Sequence, residues 1–173
     1  YADSNGNDIL FMDDEGSAHK LNHQIEKYDS STGSLTAWVS IPYLSSTLDT
    51  ELYLYYNKTD CIDQQNTADV WNDKGYVLLY HLNETSGSHE DSSGQNHDGT
   101  WSDSNGQGDQ DATGMLDGAN QFDGSDDFVI NTDDILVNNA DEFTFSCWIY
   151  PESLHSSVRG YVVDIAKDIF FMI

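Results

Sequence analysis

Asp123, Asp126 and Asp127 crowd toward the end of the run Asp117–Val129, which reads D-G-A-N-Q-F-D-G-S-D-D-F-V. Carboxylates at this density on an irregular loop suit a hard divalent cation, which gathers about six to eight oxygens from side chains and carbonyls. A second stretch rich in Asp, Asn and Gly, Asn83–Gly99, adds Asp91, Asn96 and Asp98. Together these residues form the expected Ca²⁺ set: Asp91, Asn96, Asp98, Asp123, Asp126 and Asp127. A further loop spaces oxygen donors at alternate positions, Asp103, Asn105, Gln107, Asp109 and Asp111. It resembles the first half of a calcium loop but lacks the closing bidentate Glu, so it forms a second, weaker set. Asp3-Ser4-Asn5-Gly6-Asn7-Asp8 has the same character, weaker still. The same residue types also build plain solvated turns, since Asp and Asn bond their own backbone and Gly accepts positive φ.

Other chemistries find less support. His19 and His23 stand four apart, which would serve zinc on a helix, but they fall in an expected strand or turn. His81 reads as a strand residue, and His89, His97 and His155 as loop residues. A glycosidase on a β sandwich needs two carboxylates flanking the bond, and no Glu-x-Asp-x-Glu set occurs. Asp141-Glu142 opens a strand without a partner, and no Gly-x-Ser-x-Gly or Cys–His pair is present. A catalytic role is therefore not expected. Asn57-Lys58-Thr59 and Asn83-Glu84-Thr85 are acceptor sequons for N-glycosylation in expected loops. Trp101, in a polar stretch, is a candidate for stacking on sugar rings, whereas Tyr53, Tyr55 and Trp148 read as packed aromatics.

The balance of 31 acidic against 6 basic residues, a net charge of −25, argues against nucleic acid or an anionic membrane as partner. With 38% hydrophobic residues the chain can still bury a core. No run is long enough to span a membrane, and the first residues lack the basic start and apolar run of a signal peptide. Two cysteines permit one disulfide: Cys61 lies in a polar segment, and Cys147 on the apolar face of a strand, where a small buried thiol is the simpler reading.

These groups would be carried on strands. Alternation with period two dominates and no helix of three turns is expected. Strands are predicted at Asp8–Met12, Leu21–Tyr28, Leu35–Ile41 and Leu52–Tyr56, as a four-stranded antiparallel meander with turns at Asp13–Gly16 and Asp29–Gly33. Asn57–Asp69 is polar and reads as a connection. A strand is predicted at Tyr76–Leu82, then a long polar loop over Asn83–Thr113. Gly118–Phe122 and Asp127–Ile130 are predicted to form a hairpin with Phe122 inward. Further strands are expected at Phe143–Ile149, Tyr161–Ile165 and Ile169–Ile173.

Several motifs in this order resemble a laminin-G-like jelly roll, the concanavalin A-like sandwich of secreted and surface proteins. They are Val70-Trp71, Tyr80–Gly87, Asp91–Thr100, Gly118–Val129 and Glu142–Pro151. Asp8–Phe11, Ile25-Glu26, Trp38–Pro42 and Leu52–Asn57 are similar to a small β domain of unknown function that often precedes such jelly rolls in bacterial and archaeal surface proteins. The resemblance implies an all-β chain with three parts. Residues 1–60 would be a small antiparallel domain lacking its opening strands, 61–69 a linker, and 70–173 an antiparallel jelly roll lacking its C-terminal part. It also implies a Ca²⁺ between the loops at Asp91–Asp98 and Asp123–Asp127.

The expected function is a non-catalytic, calcium-binding extracellular module of a prokaryotic cell-surface or secreted glycoprotein, serving adhesion to a glycan or surface protein. One alternative is a structural subunit of an extracellular filament or surface layer, in which copies exchange strands through open sheet edges. Another is the binding module of a secreted glycosidase whose catalytic domain lies outside this chain.

Overall fold

The computed structural model describes residues 2–14, 19–72, 74–133, 142–151, 161–165 and 169–172. In chain order the elements are β1 (Leu10–Met12), β2 (Lys20–Leu21), β3 (His23–Asp29), β4 (Ser34–Val39), β5 (Tyr53–Tyr55), α1 (Thr67–Trp71), β6 (Ser88–His89) and β7 (Gly99–Ser102). β8 (Asp109–Thr113), β9 (Gly118–Gln121), β10 (Phe128–Ile130), β11 (Tyr161–Ile165) and β12 (Ile169–Met172) follow. The protein is all-β, and all the strand pairs among the described residues are antiparallel. Two sheets have three strands, in the orders β2-β1-β5 and β10-β7-β6; β3-β4, β8-β9 and β11-β12 are two-stranded.

The β3–β4 hairpin shows how local sequence fixes local structure. Asp29 accepts the Ser31 amide at 2.8 Å, the Ser31 hydroxyl at 2.6 Å and the Thr32 hydroxyl at 2.8 Å. Gly33 closes the turn at φ +77° by donating to the Asp29 carbonyl at 2.7 Å. The Ser31 and Thr32 hydroxyls hold the Asp29 carboxyl down at about 2. The register slips between Ile25 and Lys27, so Glu26 is the extra residue of a bulge. A bulge re-aims its side chain, and here it turns a carboxylate inward, only 8% exposed. There Glu26 accepts the Trp38 indole N–H at 2.6 Å and pairs with His81 Nδ1 at 2.8 Å.

That pair faces the buried junction around Trp71. The indole lies edge-on to Trp38 at 5.2 Å and to Tyr76 at 5.5 Å, and 5.7 Å from His81. Its N–H donates to Gln24 on β3. Val70 and Trp71 are buried along with Ile9 and Leu21. The stretch read as a linker carries α1 and runs beside β3: Asn66 donates to the His23 carbonyl at 3.0 Å, and the Gln65 side chain accepts the Ile25 amide at 2.6 Å.

Several expected elements differ. The first four strands do not form a meander, because β1 pairs with β5 as well as β2 while β3 and β4 pair with each other. Tyr76–Leu82 is not a strand. The Leu79 amide donates to the Asp91 carboxylate at 2.9 Å rather than into a ladder, and Leu82 sits at φ +58°. The stretch read as one long loop contains β6, β7 and β8. β9 and β10 form no hairpin with each other, since β9 pairs with β8 and β10 with β7. Phe122 is accordingly 51% exposed, resting 5.4 Å from Trp101. Residues 143–149 form no strand, and Cys147 and Trp148 are exposed. Both cysteines are free thiols. β11 and β12 lie where strands were expected; the turn residues 15 and 16, His155 and Ile173 lie outside the described residues.

His89, fully buried, ties the β10-β7-β6 sheet to the β8-β9 pair. Its Nε2 lies 2.9 Å from the Asn120 side-chain amide on β9, and its Nδ1 lies 2.7 Å from the Glu84 carboxylate. Close backbone approach matters at Gly118, where a Cβ would strike the Leu82 carbonyl oxygen and Asn83 Cα. Gly118→Ala should lower stability by about 1–3 kcal/mol in urea denaturation, because backbone must move. Gly124→Ala, where a Cβ meets nothing but φ is +81°, should cost only about 1–2 kcal/mol.

Candidate metal centre

The β7–β10 ladder decides which carboxylates meet. Phe128 pairs with Ser102, so one step further along the antiparallel register sets Asp127 across from Asp103. Asp126 follows at the same end. Ligand oxygens of Asp103, Asp126 and Asp127 lie within 4.8 Å of one another, the one such acidic group among the described residues. That spacing is about twice a Ca–O distance of ~2.4 Å, so one calcium ion could touch all three. Hard oxygen donors without nitrogen or sulfur suit Ca²⁺ rather than zinc.

The loops hold these groups from outside. Asp103 accepts the Gly106 amide at 2.6 Å and the Gly108 amide at 3.1 Å. Asp126 accepts the Ser104 amide at 3.1 Å. The Asn105 side-chain amide bridges Asp126 at 2.6 Å and Asp123 at 2.7 Å. Asp127 Oδ2 accepts the Asp123 amide at 2.6 Å, while its Oδ1 is buried without a hydrogen-bond partner. The loop can pass this close only because residue 108 is Gly, since a Cβ there would lie 2.8 Å from the Asp127 carboxylate.

The electrostatics follow from this crowding. The Asp123 amide pulls the Asp127 pKa down, but burial and the charges of Asp123 and Asp103 outweigh it and the net shift is upward. Asp123 goes the other way, held down first by the Asn105 amide and then by the Ser125 amide. No Lys, Arg or His ion pair reaches Asp103, Asp126 or Asp127 among the described residues. Like charges facing each other across a ladder are destabilising, and a bound cation would remove that cost. The residues fit the ion.

The other expected ligands are placed differently. Asp91 accepts four donors of its own neighbourhood: the Leu79 and Ser93 amides on Oδ1, the Ser93 hydroxyl and the His97 amide on Oδ2. It clasps its loop, and those donors fill the directions a cation would use. Asp98 accepts the Asp91 amide at 2.9 Å, and Asn96 is exposed at φ +61°. Asp109 and Asp111 project to solvent from β8, and Gln107 donates its amide to Asn105. The six-residue set thus splits, and Asp126 and Asp127 converge with Asp103 of the weaker loop instead. Only recognition of Thr100–Ser102 and Phe128–Ile130 as partner strands would have found that. Sequence reasoning also missed Glu26–His81 and Glu84–His89–Asn120. Both depend on burial that polar surroundings conceal. Two cavities of about 320 and 280 Å³ lie elsewhere, both lined by Asp8, Lys58 and Cys61.

Several structural carboxylates set the acid response. Burial raises the Glu26 pKa, but the His81 and Trp38 donors outweigh it and leave it below the ordinary 4.5. Asp91 likewise ends below 3.8, because four donors outweigh its burial. A carboxyl held lower in the folded than in the unfolded chain stabilises fully above its ordinary value and loses that contribution as pH falls. Melting temperature should therefore drop steadily below about pH 4.5. The drop should be shallower in Asp91→Asn, as read by circular dichroism melts across the acid range.

The fold and site define an antiparallel all-β protein with acidic loops at a sheet end. The chain belongs to the family described as Domain of unknown function (DUF2341), which matches residues 5–104. The matched stretch runs past residue 60 and through β7, stopping just after Asp103, so the candidate centre draws Asp126 and Asp127 from beyond it. Neither the curated proteins nor the solved structures gave a match.

Proposed function

We propose that this chain is a non-catalytic, calcium-binding module of a prokaryotic cell-surface or secreted protein that recognises a glycan or another surface protein. The observation that carries the proposal is the meeting of Asp103, Asp126 and Asp127 around the unpartnered Asp127 Oδ1. Bound Ca²⁺ would neutralise the cluster and pin the 103–108 loop against the 123–127 loop. The rim so formed includes Phe122, half-exposed beside Asp123 and backed by Trp101, a surface suited to a sugar ring. Exposed Asn57 and Asn83 head the two sequons, which favours export and glycosylation. The finer fold reading, a laminin-G-like jelly roll from residue 70 on, draws support from nested pairing. The β8–β9 hairpin lies between β7 and β10, which pair with each other, and jelly rolls nest their strands in this way.

Calorimetric titration with Ca²⁺ after chelation tests the proposal, followed by glycan-array binding with and without chelator. Heat of binding and a calcium-dependent array signal support it. No heat and an unchanged melting temperature at millimolar calcium would defeat it.

A second reading, strand exchange between copies in a filament or surface layer, is favoured by residues 142–151. They alternate like a strand yet form no ladder among the described residues, with Phe143, Trp148, Ile149 and Tyr150 exposed. Concentration-dependent polymers in sedimentation would support it; a monomer at all concentrations would count against it.

A further inference from the structure

Two Asn-Gly pairs occur in this chain, Asn5-Gly6 and Asn105-Gly106. We propose that Asn105 is a site of spontaneous deamidation in the folded protein, and that the fold shields Asn5 from the same reaction. The Gly106 nitrogen attacks Asn105 Cγ, forming a five-membered imide. The Cγ–Nδ2 bond breaks and ammonia leaves, carrying away the proton given up by Gly106. Water then opens the imide at one carbonyl to give aspartate or at the other to give isoaspartate. No oxidant or metal takes part.

At residue 105 the side chain must first release Asp123, Asp126 and the Gln107 amide, but it does so on an exposed loop. The Gly106 amide donates to Asp103 Oδ1 at 2.6 Å, so a carboxylate stands ready to take its proton. The backbone must turn to bring nitrogen and Cγ together, and the space around Gly106 is open, with nothing within 4 Å of where a Cβ would lie. At the other pair the Gly6 amide is tied to the Asp3 carbonyl at 2.9 Å. Gly6 is itself buried, and its Cβ position is hemmed by Ile25 at 2.9 Å and by Ile9 and Tyr28 at 3.3 Å. Turning there requires the packing of Ile9, Ile25 and Tyr28 around Gly6 to open.

Conversion at Asn105 replaces the amide that bridges Asp123 and Asp126 by another carboxylate. The loop gains a negative charge and loses the donor between two aspartates. Asp103 serves both readings, as the base here and as a ligand there, so the folded sample is kept in chelator, where deamidation can fail or succeed whatever the outcome of the calcium titration.

The test is peptide mapping by mass spectrometry of the full chain held folded in mildly alkaline buffer, with both asparagines scored in each digest and a parallel sample in urea. Folded, Asn105 should lose its amide at least roughly tenfold faster than Asn5, with isoaspartate among the products. In urea the two rates should converge, and Asn105→Gln should show no conversion at that position. Equal rates in the folded protein, or a preference for Asn105 that persists undiminished in urea, would overturn the inference.

Discussion

Asp127→Asn should abolish the calcium-dependent gain in thermal stability while leaving the metal-free protein as stable as before, or slightly more so. Asp127 is the cluster member whose pKa burial and its neighbours' charges push up, so a neutral amide relieves repulsion when no cation is bound. Its carbonyl oxygen can still accept the Asp123 amide, so the loop keeps its shape. With calcium at a hundredfold excess over Kd the unsubstituted protein should gain about 2.7 kcal/mol, which the variant forfeits. Asp91→Asn separates this site from the one expected from sequence. The Asp91 carboxylate is committed to Leu79, Ser93 and His97, so its loss should weaken the fold but leave the calcium gain intact. Differential scanning calorimetry of both variants, with and without the ion, checks the pair. Loss of the gain in Asp91→Asn as well as in Asp127→Asn would restore the sequence-based set, which contains both.

The largest effect on stability should come from Trp71→Ala, about 3–5 kcal/mol by urea denaturation. The indole is only 6% exposed and joins Trp38 and Gln24 of the β3–β4 hairpin to Tyr76 and His81. Its removal should leave a cavity where these parts meet and strand the Gln24 oxygen. Trp148→Ala is the control, since that ring is 75% exposed and should change stability by less than about 0.5 kcal/mol. The same junction predicts that residues on either side of 61–69 unfold in one transition. Two separate transitions would instead support the linker expected there.

What was legible in the sequence was local. Asp29-Ser30-Ser31-Thr32-Gly33 carries its own turn instructions, and the predicted hairpin around it formed. β1, β5, β11 and β12 fall where alternation placed strands. Pairing between distant strands was not legible. Nothing in Gly118–Ile130 tells that β9 joins β8 and β10 joins β7, yet that choice brings Asp103, not Asp91, to Asp127. Short strands such as Ser88–His89, set among Gly, Ser and Asn, carry too little alternation to be read, and so His89 passed for a loop residue although it is fully buried. The opposite failure occurred at Phe143–Ile149. Alternation there records the capacity to pair, but no ladder forms at 143–149 among the described residues, and Phe143, Trp148 and Ile149 stand exposed. For the candidate site, residue type and loop character were visible at Asp126 and Asp127. The identity of the third carboxylate was fixed by register.

The most direct measurement is anomalous diffraction from crystals grown with a calcium-mimicking lanthanide. A strong peak is expected between the carboxylates of Asp103, Asp126 and Asp127, bonded to the buried Asp127 Oδ1 that has no hydrogen-bond partner. A map without a peak there, or one with its peak at Asp91 and Asp98, would contradict this placement.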